Sequence, residues 1–167
     1  FGRRMLWYIL VRCLKPELVI ESGVDKGLGS ALMIYAQYKN TEDQKDKNFE
    51  YIGTDIMEKK NFLFNYENLK FKNYKFIFDD TLKFLSSFDT KKKIIYISDA
   101  EHSYDFELKE FNLIKKNLID NSVIISDNNT GSLSSFSIKN NKKLIYFHEE
   151  SKNFWYGGGT SSVSYFY

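Results

Sequence analysis

Apolar positions along this chain fall into two patterns, short unbroken runs and longer stretches at helical spacing, and the two alternate. Residues 4–14 form an apolar segment of helical period, halted by Pro16. Leu18, Val19 and Ile20 make a short strand ending at Glu21, and a glycine-bearing turn follows. Leu28, Ala31, Leu32 and Tyr35 recur at helical spacing, so that turn opens a helix. Beyond a polar loop, Tyr51 to Thr54 is a second strand ending at Asp55, and Phe62, Tyr66 and Leu69 mark another helix. Tyr74 to Phe78 reads as a strand before Asp79 and Asp80, with Leu82 and Leu85 on a short helix after it. Ile94 to Ser98 is an apolar run ending at Asp99, and Tyr104, Leu108, Phe111 and Leu118 keep the helical period. Ser122 to Ser126 is a strand ending at Asp127. Leu144–Phe147 and Val163–Tyr167 close the chain as two strands joined by a Gly157-Gly158-Gly159 turn.

Strands that do not alternate between polar and apolar positions are buried on both faces, as in a parallel sheet covered by helices on each side. Five strand–helix units and a final hairpin predict a doubly wound α/β fold: a mostly parallel seven-stranded sheet with an antiparallel C-terminal hairpin. No repeat, low-complexity tract or internal linker interrupts it, so residues 1–167 are expected to form one domain.

Composition narrows the function classes. The 43% apolar and 28% charged content is that of an ordinary globular protein. A net charge of +2 gives no reason to expect a nucleic-acid partner, and the one compact basic run, Lys91 to Lys93, reads as a solvated loop. Met5 to Leu14 is too short to cross a bilayer, and its flanks are not those of a cleaved signal peptide. The single cysteine, Cys13, allows no internal disulfide, fits a reducing cytoplasm, and is expected as a small core residue of its helix. The chain opens at Phe1 rather than Met, as a trimmed piece of a longer protein would.

The candidate chemistry lies at the strand ends. In open parallel sheets ligands bind outside the carboxyl ends of the strands, where strand order reverses. Each of the first five strands runs into an acid: Glu21, Asp55, Asp79 with Asp80, Asp99, and Asp127. Helix capping accounts for one or two of these, such as Asp80 before Thr81, but not for the series. In the first turn Gly23, Gly27 and Gly29 let backbone approach a ligand closely, although a plain strand–helix turn would also use them. Their spacing is not G-x-G-x-x-G, which argues against a dinucleotide-dependent dehydrogenase. Asp55, ending the second strand, stands where a ribose-binding acid belongs in nucleoside-binding sheets. Asp99, Asp127 and the amide oxygen of Asn128 would present three hard oxygen ligands, a set suited to Mg²⁺ or Mn²⁺. An Asx turn at Asp127 and Asn128 is the structural alternative.

With Asp99-Ala100-Glu101-His102-Ser103-Tyr104 and Asp127-Asn128 in view, the chain resembles the Rossmann-like class I S-adenosylmethionine-dependent O-methyltransferases. It is most similar to the cephalosporin-cluster and macrolide-sugar branch, marked by an Asp-x-x-His-Ser-Tyr segment. The resemblance runs from Glu21 to the glycine-rich hairpin. It implies that Glu21, Gly23 and Ser30 border the methionine end of the cofactor, with Gly27 and Gly29 in the same turn. Asp55 would bind the ribose, Asp80 would face the adenine, and Asp99, Asp127 and Asn128 would hold the metal. Related catechol and caffeoyl-CoA enzymes carry Ser where this chain has Gly29, and Lys where it has His102. An imidazole can accept a proton at neutral pH without special tuning, which makes His102 the candidate base beside Asp99. The alternative is that His102 caps or orients the helix beginning near Ser103.

The resemblance implies in-line methyl transfer to a hydroxyl of a small molecule, a sugar or other polyol by the branch, assisted by the metal. A metal-independent enzyme with His102 as sole base is one alternative. An inactive nucleoside-binding or scaffold domain is another, because the family usually carries N-terminal elements that cover the site. Phe154, Trp155 and Tyr156 could line an acceptor pocket or pack in the core. No membrane partner is expected, and homo-oligomer formation is left open.

Overall fold

In a computed structural model, residues 3–57, 70–150 and 159–167 are described. Seven strands form one sheet in the order β3-β2-β1-β4-β5-β7-β6. They are β1 (Leu18–Ser22), β2 (Glu50–Asp55), β3 (Tyr74–Phe78), β4 (Ile94–Ser98), β5 (Val123–Ser126), β6 (Lys143–Glu149) and β7 (Gly159–Tyr165). Strands β1 to β5 are parallel, and β7 runs antiparallel between β5 and β6. The doubly wound, mostly parallel sheet with its antiparallel C-terminal pair is the architecture that the hydrophobic pattern predicts. The helix expected around Phe62, Tyr66 and Leu69 lies outside the described residues, as do Gly157 and Gly158.

Two apolar clusters cover the sheet. Helices α1 (Arg4–Leu14) and α2 (Leu28–Asp43) pack through Trp7, Val11, Met33 and Ile34 against Val19, Tyr51, Ile95, Ile97 and Val123. On the other face, α3 (Thr81–Ser87), α4 (Tyr104–Ile114) and α5 (Ser132–Lys139) bury Leu85, Phe111, Ile114 and Phe136 against Ile20, Ile94, Tyr96 and Ile124. Adjacent residues of one strand go to opposite clusters, Val19 to one and Ile20 to the other, as the strand period requires.

One expectation about faces is corrected. Cys13 is exposed, because α1 turns Trp7 and Val11 to the sheet and leaves Cys13 on its outer side. In α2 the buried stripe is Gly29, Ser30, Met33, Ile34, Gln37 and Asn40, whereas Tyr35 is 47% exposed. The polar members of that stripe are buried because each has a partner. Gln37 donates to the Pro16 and Glu50 carbonyls, Asn40 to the Val11 carbonyl, and Ser30 to Glu21.

Candidate active site

Strand order reverses between β1 and β4, since β2 and β3 extend to one side of β1 while β5 lies beyond β4. Pairing of Ser22 with Thr54 and Ser98, and of Ser98 with Ser126, brings four strand ends level. A cavity of about 600 Å³ opens there. Of the residues singled out from sequence, Gly23, Asp55, Asp80 and Asp99 line it, together with Asp25, Ile56, Met57, Thr81, Ala100, Glu101 and Phe106. Its size is that of a small-molecule or cofactor site.

The turn after β1 is shaped to pass close to β4. Gly23 has φ +86°, and a Cβ there would lie 2.3 Å from the Asp99 carbonyl oxygen, so only glycine fits. Asp55 ties this turn to β2, as its carboxylate accepts from the backbone N–H groups of Val24 (3.2 Å), Asp25 (3.0 Å) and Met57 (3.2 Å). Asp80 caps α3, accepting from Leu82 N–H at 2.7 Å and Lys83 N–H at 3.3 Å, as the capping alternative holds, and it still faces the cavity.

Glu21, Gly27, Gly29 and Ser30 do not line the cavity. Gly27 precedes α2 in the left-handed conformation, and Gly29 packs against the Glu21 carboxyl. The Glu21 carboxyl is buried toward α2, accepting from Ser30 Oγ at 2.9 Å and from the Tyr51 hydroxyl. Burial pushes its pKa up to about 7 despite those hydrogen bonds and the Arg4 charge.

Of the remaining predicted residues, Asp99 lines the cavity, whereas His102, Asp127 and Asn128 do not. His102 Nε2 lies 3.8 Å from Asp99 Oδ1. The α4 start is capped by Ser103 through Phe106 N–H at 3.4 Å, so His102 is not the cap. Burial, then the charges of Asp127 and Glu21, hold the Asp99 carboxyl well above the ordinary range, with Arg4 opposing. Two arginines from the start of α1 reach this cluster. Arg3 Nη2 sits 2.9 Å from Asp127 Oδ2, and its Nη1 donates to the Asp127 carbonyl at 2.7 Å and to Asn128 Oδ1 at 2.8 Å. Arg4 Nη2 lies 3.4 Å from Asp99 Oδ2.

That arrangement tests the expected Mg²⁺ or Mn²⁺. Asp99, Asp127 and Asn128 are brought together, but Asp127 Oδ2 and Asn128 Oδ1, two of the oxygens a metal would take, already accept from a guanidinium that cannot give up its charge. Among the described residues no group of three or more His, Cys, Asp or Glu side chains is placed to hold a metal ion. As arranged, these residues fit an arginine and not a divalent cation.

Sequence reasoning passed over Arg3 and Arg4, although two cations at the start of an apolar helix, in a chain with five strand-end acids, were the available signal. It also passed over Glu107 and Glu110, which are completely buried in α4. Glu110 accepts from Ser22, Ser98 and Tyr96 at 2.5, 2.5 and 2.9 Å, and burial lifts its pKa to about 7. Phe154, Trp155 and Tyr156 lie outside the described residues. No described helix is long and apolar enough to cross a membrane.

A family model described as a methyltransferase domain matches residues 20–129, which run from Ile20 in β1 to Asn129 just past β5. No curated protein matches the chain in sequence. Among solved structures, the fold is similar to the O-methyltransferase TomG from Streptomyces achromogenes, involved in tomaymycin synthesis and solved in complex with SAM. The TM-score is 0.69 at 12% identity, over 98% of this chain and 79% of that one. It is also similar to the O-methyltransferase from Bacillus cereus in complex with SAH (0.67, 13%, 97% and 79%). An rRNA methylase from Streptococcus thermophilus scores 0.66 at 8% identity, over 97% and 95%. At such identities the likeness is one of fold.

Proposed function

The chain belongs to the methyltransferase-domain family, and from that premise we propose that it transfers the methyl group of S-adenosylmethionine to a hydroxyl of a small acceptor. The observation that carries this reading is the acid-lined cavity of about 600 Å³ at the β1/β4 reversal. Asp25, Asp55, Asp80, Asp99 and Glu101 surround it. Such a rim favours a ligand that is cationic at its reactive end, as a sulfonium with a neighbouring ammonium is. It disfavours a polyanion, so a small acceptor fits better than RNA, and the branch resemblance makes that acceptor a sugar or other polyol.

Asp55 braces the β1–α2 turn through backbone N–H groups, and a carboxylate has capacity left to accept from ribose hydroxyls. Asp80 and the apolar side chains of Ile56, Met57 and Phe106 make the rest of a nucleoside berth. In the reaction the C–S bond of the sulfonium breaks as the C–O bond forms, leaving a neutral thioether. The proton of the acceptor hydroxyl goes to His102 Nε2, which Asp99 Oδ1 faces at 3.8 Å. Holding the oxygen, methyl and sulfur in line supplies much of the remaining rate gain. Arg3 holds Asp127 Oδ2 and Asn128 Oδ1, so the proton passes to His102 without a divalent ion.

Isothermal calorimetry with S-adenosylhomocysteine tests the cofactor assignment. The wild type should bind it. Asp55→Ala should lose affinity worth about 1.5–3 kcal/mol, the contribution of a charge-assisted hydrogen bond. No binding by the folded wild type, or unchanged affinity in the variant, would overturn the assignment.

A further inference from the structure

We infer that Arg3 is a built-in replacement for the divalent cation at this site, so that the Asp99–Asp127–Asn128 cluster is closed to metal while α1 is docked. The inference deepens the proposed function, because it concerns the same site, but it rests on the berth made for the guanidinium.

Four observations define that berth. First, Arg3 makes three contacts within hydrogen-bond distance, to the Asp127 carboxylate, the Asp127 carbonyl and Asn128 Oδ1, so both of its Nη atoms are engaged by one loop. Second, the pair is shielded from water. The side-chain exposures are 22% for Arg3 and 7% for Asp127, a setting in which an ion pair is screened far less than at the surface. Third, β7 leaves room for it. A Cβ on Gly159 would fall 2.9 Å from both Cζ and Nη1 of Arg3, so in this arrangement the guanidinium lies where a larger residue's Cβ would crowd it. Fourth, the helix that delivers Arg3 is fixed: Trp7 and Val11 are fully buried against the sheet, and Arg4 points the same way, toward Asp99. Asp127 is therefore already compensated by a fixed positive charge, and a second, Arg4, stands 3.4 Å from Asp99. To enter, a divalent ion would have to shed much of its hydration and expel a guanidinium that cannot be deprotonated.

The replacement changes the chemistry available. A bound metal takes an acceptor oxygen into its coordination shell and lowers its pKa. A guanidinium can only donate hydrogen bonds and place charge, so proton removal is left to a side-chain base, and Arg3 serves as a positioning residue for the acidic loop.

The test uses Mn²⁺ as the probe, with its free-ion paramagnetic resonance signal as the readout, so turnover is not needed. Wild-type protein should leave millimolar Mn²⁺ free. Arg3→Ala should bind it at least tenfold more tightly, and adding Asp127→Asn to that variant should abolish the gain. Arg3→Gln, which keeps most of the side-chain bulk, serves if the alanine variant does not fold. Binding of Mn²⁺ by the wild type as tight as by the variant would overturn the inference. So would a folded Arg3→Ala or Arg3→Gln protein that gains no Mn²⁺ affinity. S-adenosylhomocysteine affinity measured on the same samples keeps the two readings apart: its absence counts against the cofactor assignment and leaves the Mn²⁺ result standing.

Discussion

At the scale of single residues, the site is organised by which acids keep access to the cavity and which are withdrawn from it. Glu21 and Asp99 belong to neighbouring strand ends, yet Glu21 turns toward α2 and is closed off by Ser30 and Tyr51, while Asp99 lines the cavity beside His102. The sequence shows both as acids at strand ends and cannot separate them, because only the sheet register, which pairs Glu21 with Ile97 two positions short of Asp99, leaves Glu21 within the sheet and Asp99 at its edge. His102 is 42% exposed in its side chain, lies just outside α4 and is not needed to cap it, which leaves it free to move a proton. His102→Ala should therefore lower methyl transfer by about 10²–10⁴-fold, the usual contribution of a positioned base. Calorimetric affinity for S-adenosylhomocysteine should stay nearly unchanged in that variant. Full turnover in the variant would remove His102 from the reaction.

At the scale of elements, α1 does more than cover one face of the sheet. Its apolar side buries Trp7 and Val11, and its first turn carries the cations that meet Asp99 and Asp127. Trp7→Ala should cost about 3–5 kcal/mol of stability, the range for emptying a large aromatic site in a packed core, as read from the urea midpoint. The existence of α1, of the described strands and of α2 was legible from periodicity alone. The inward face of α2 was not, since Ser30, Gln37 and Asn40 are buried through specific hydrogen bonds that no hydropathy pattern records. Helix α5 was hard to see for a related reason, because half of its eight residues are serines, and Ser132 and Ser137 are buried by bonding to Glu107 and to Ser164. Likewise the acids of the site were visible at the strand ends, whereas their arginine partners lie more than ninety positions away and meet them only through the packing of α1.

At the scale of the whole molecule, the buried carboxyls include Glu21, toward α2, and Glu110, toward the strands from α4 on the opposite face of the sheet, each with its pKa raised to about 7 from 4.5, chiefly by burial. Between those values the folded protein holds protons that the unfolded chain has released. Stability must then fall as pH rises through that window. The contribution is fully present below about pH 4.5 and is lost once pH passes the folded value. Each group accounts for on the order of 3 kcal/mol at most, from the separation of the two pKa values. Exposed pairs such as Lys83 with Asp79 act in the opposite sense, and only at more acidic pH, because their carboxyls are shifted down. Urea midpoints should therefore decline from pH 5 to pH 8. Glu110→Gln should flatten part of that decline, because the amide is neutral throughout and can still meet Ser22, Ser98 and Tyr96. A midpoint that rises over this range in the wild type, or a slope unaltered in the variant, would show that Glu110 is ionised in the folded protein, with the three hydroxyls around it stabilising the charge.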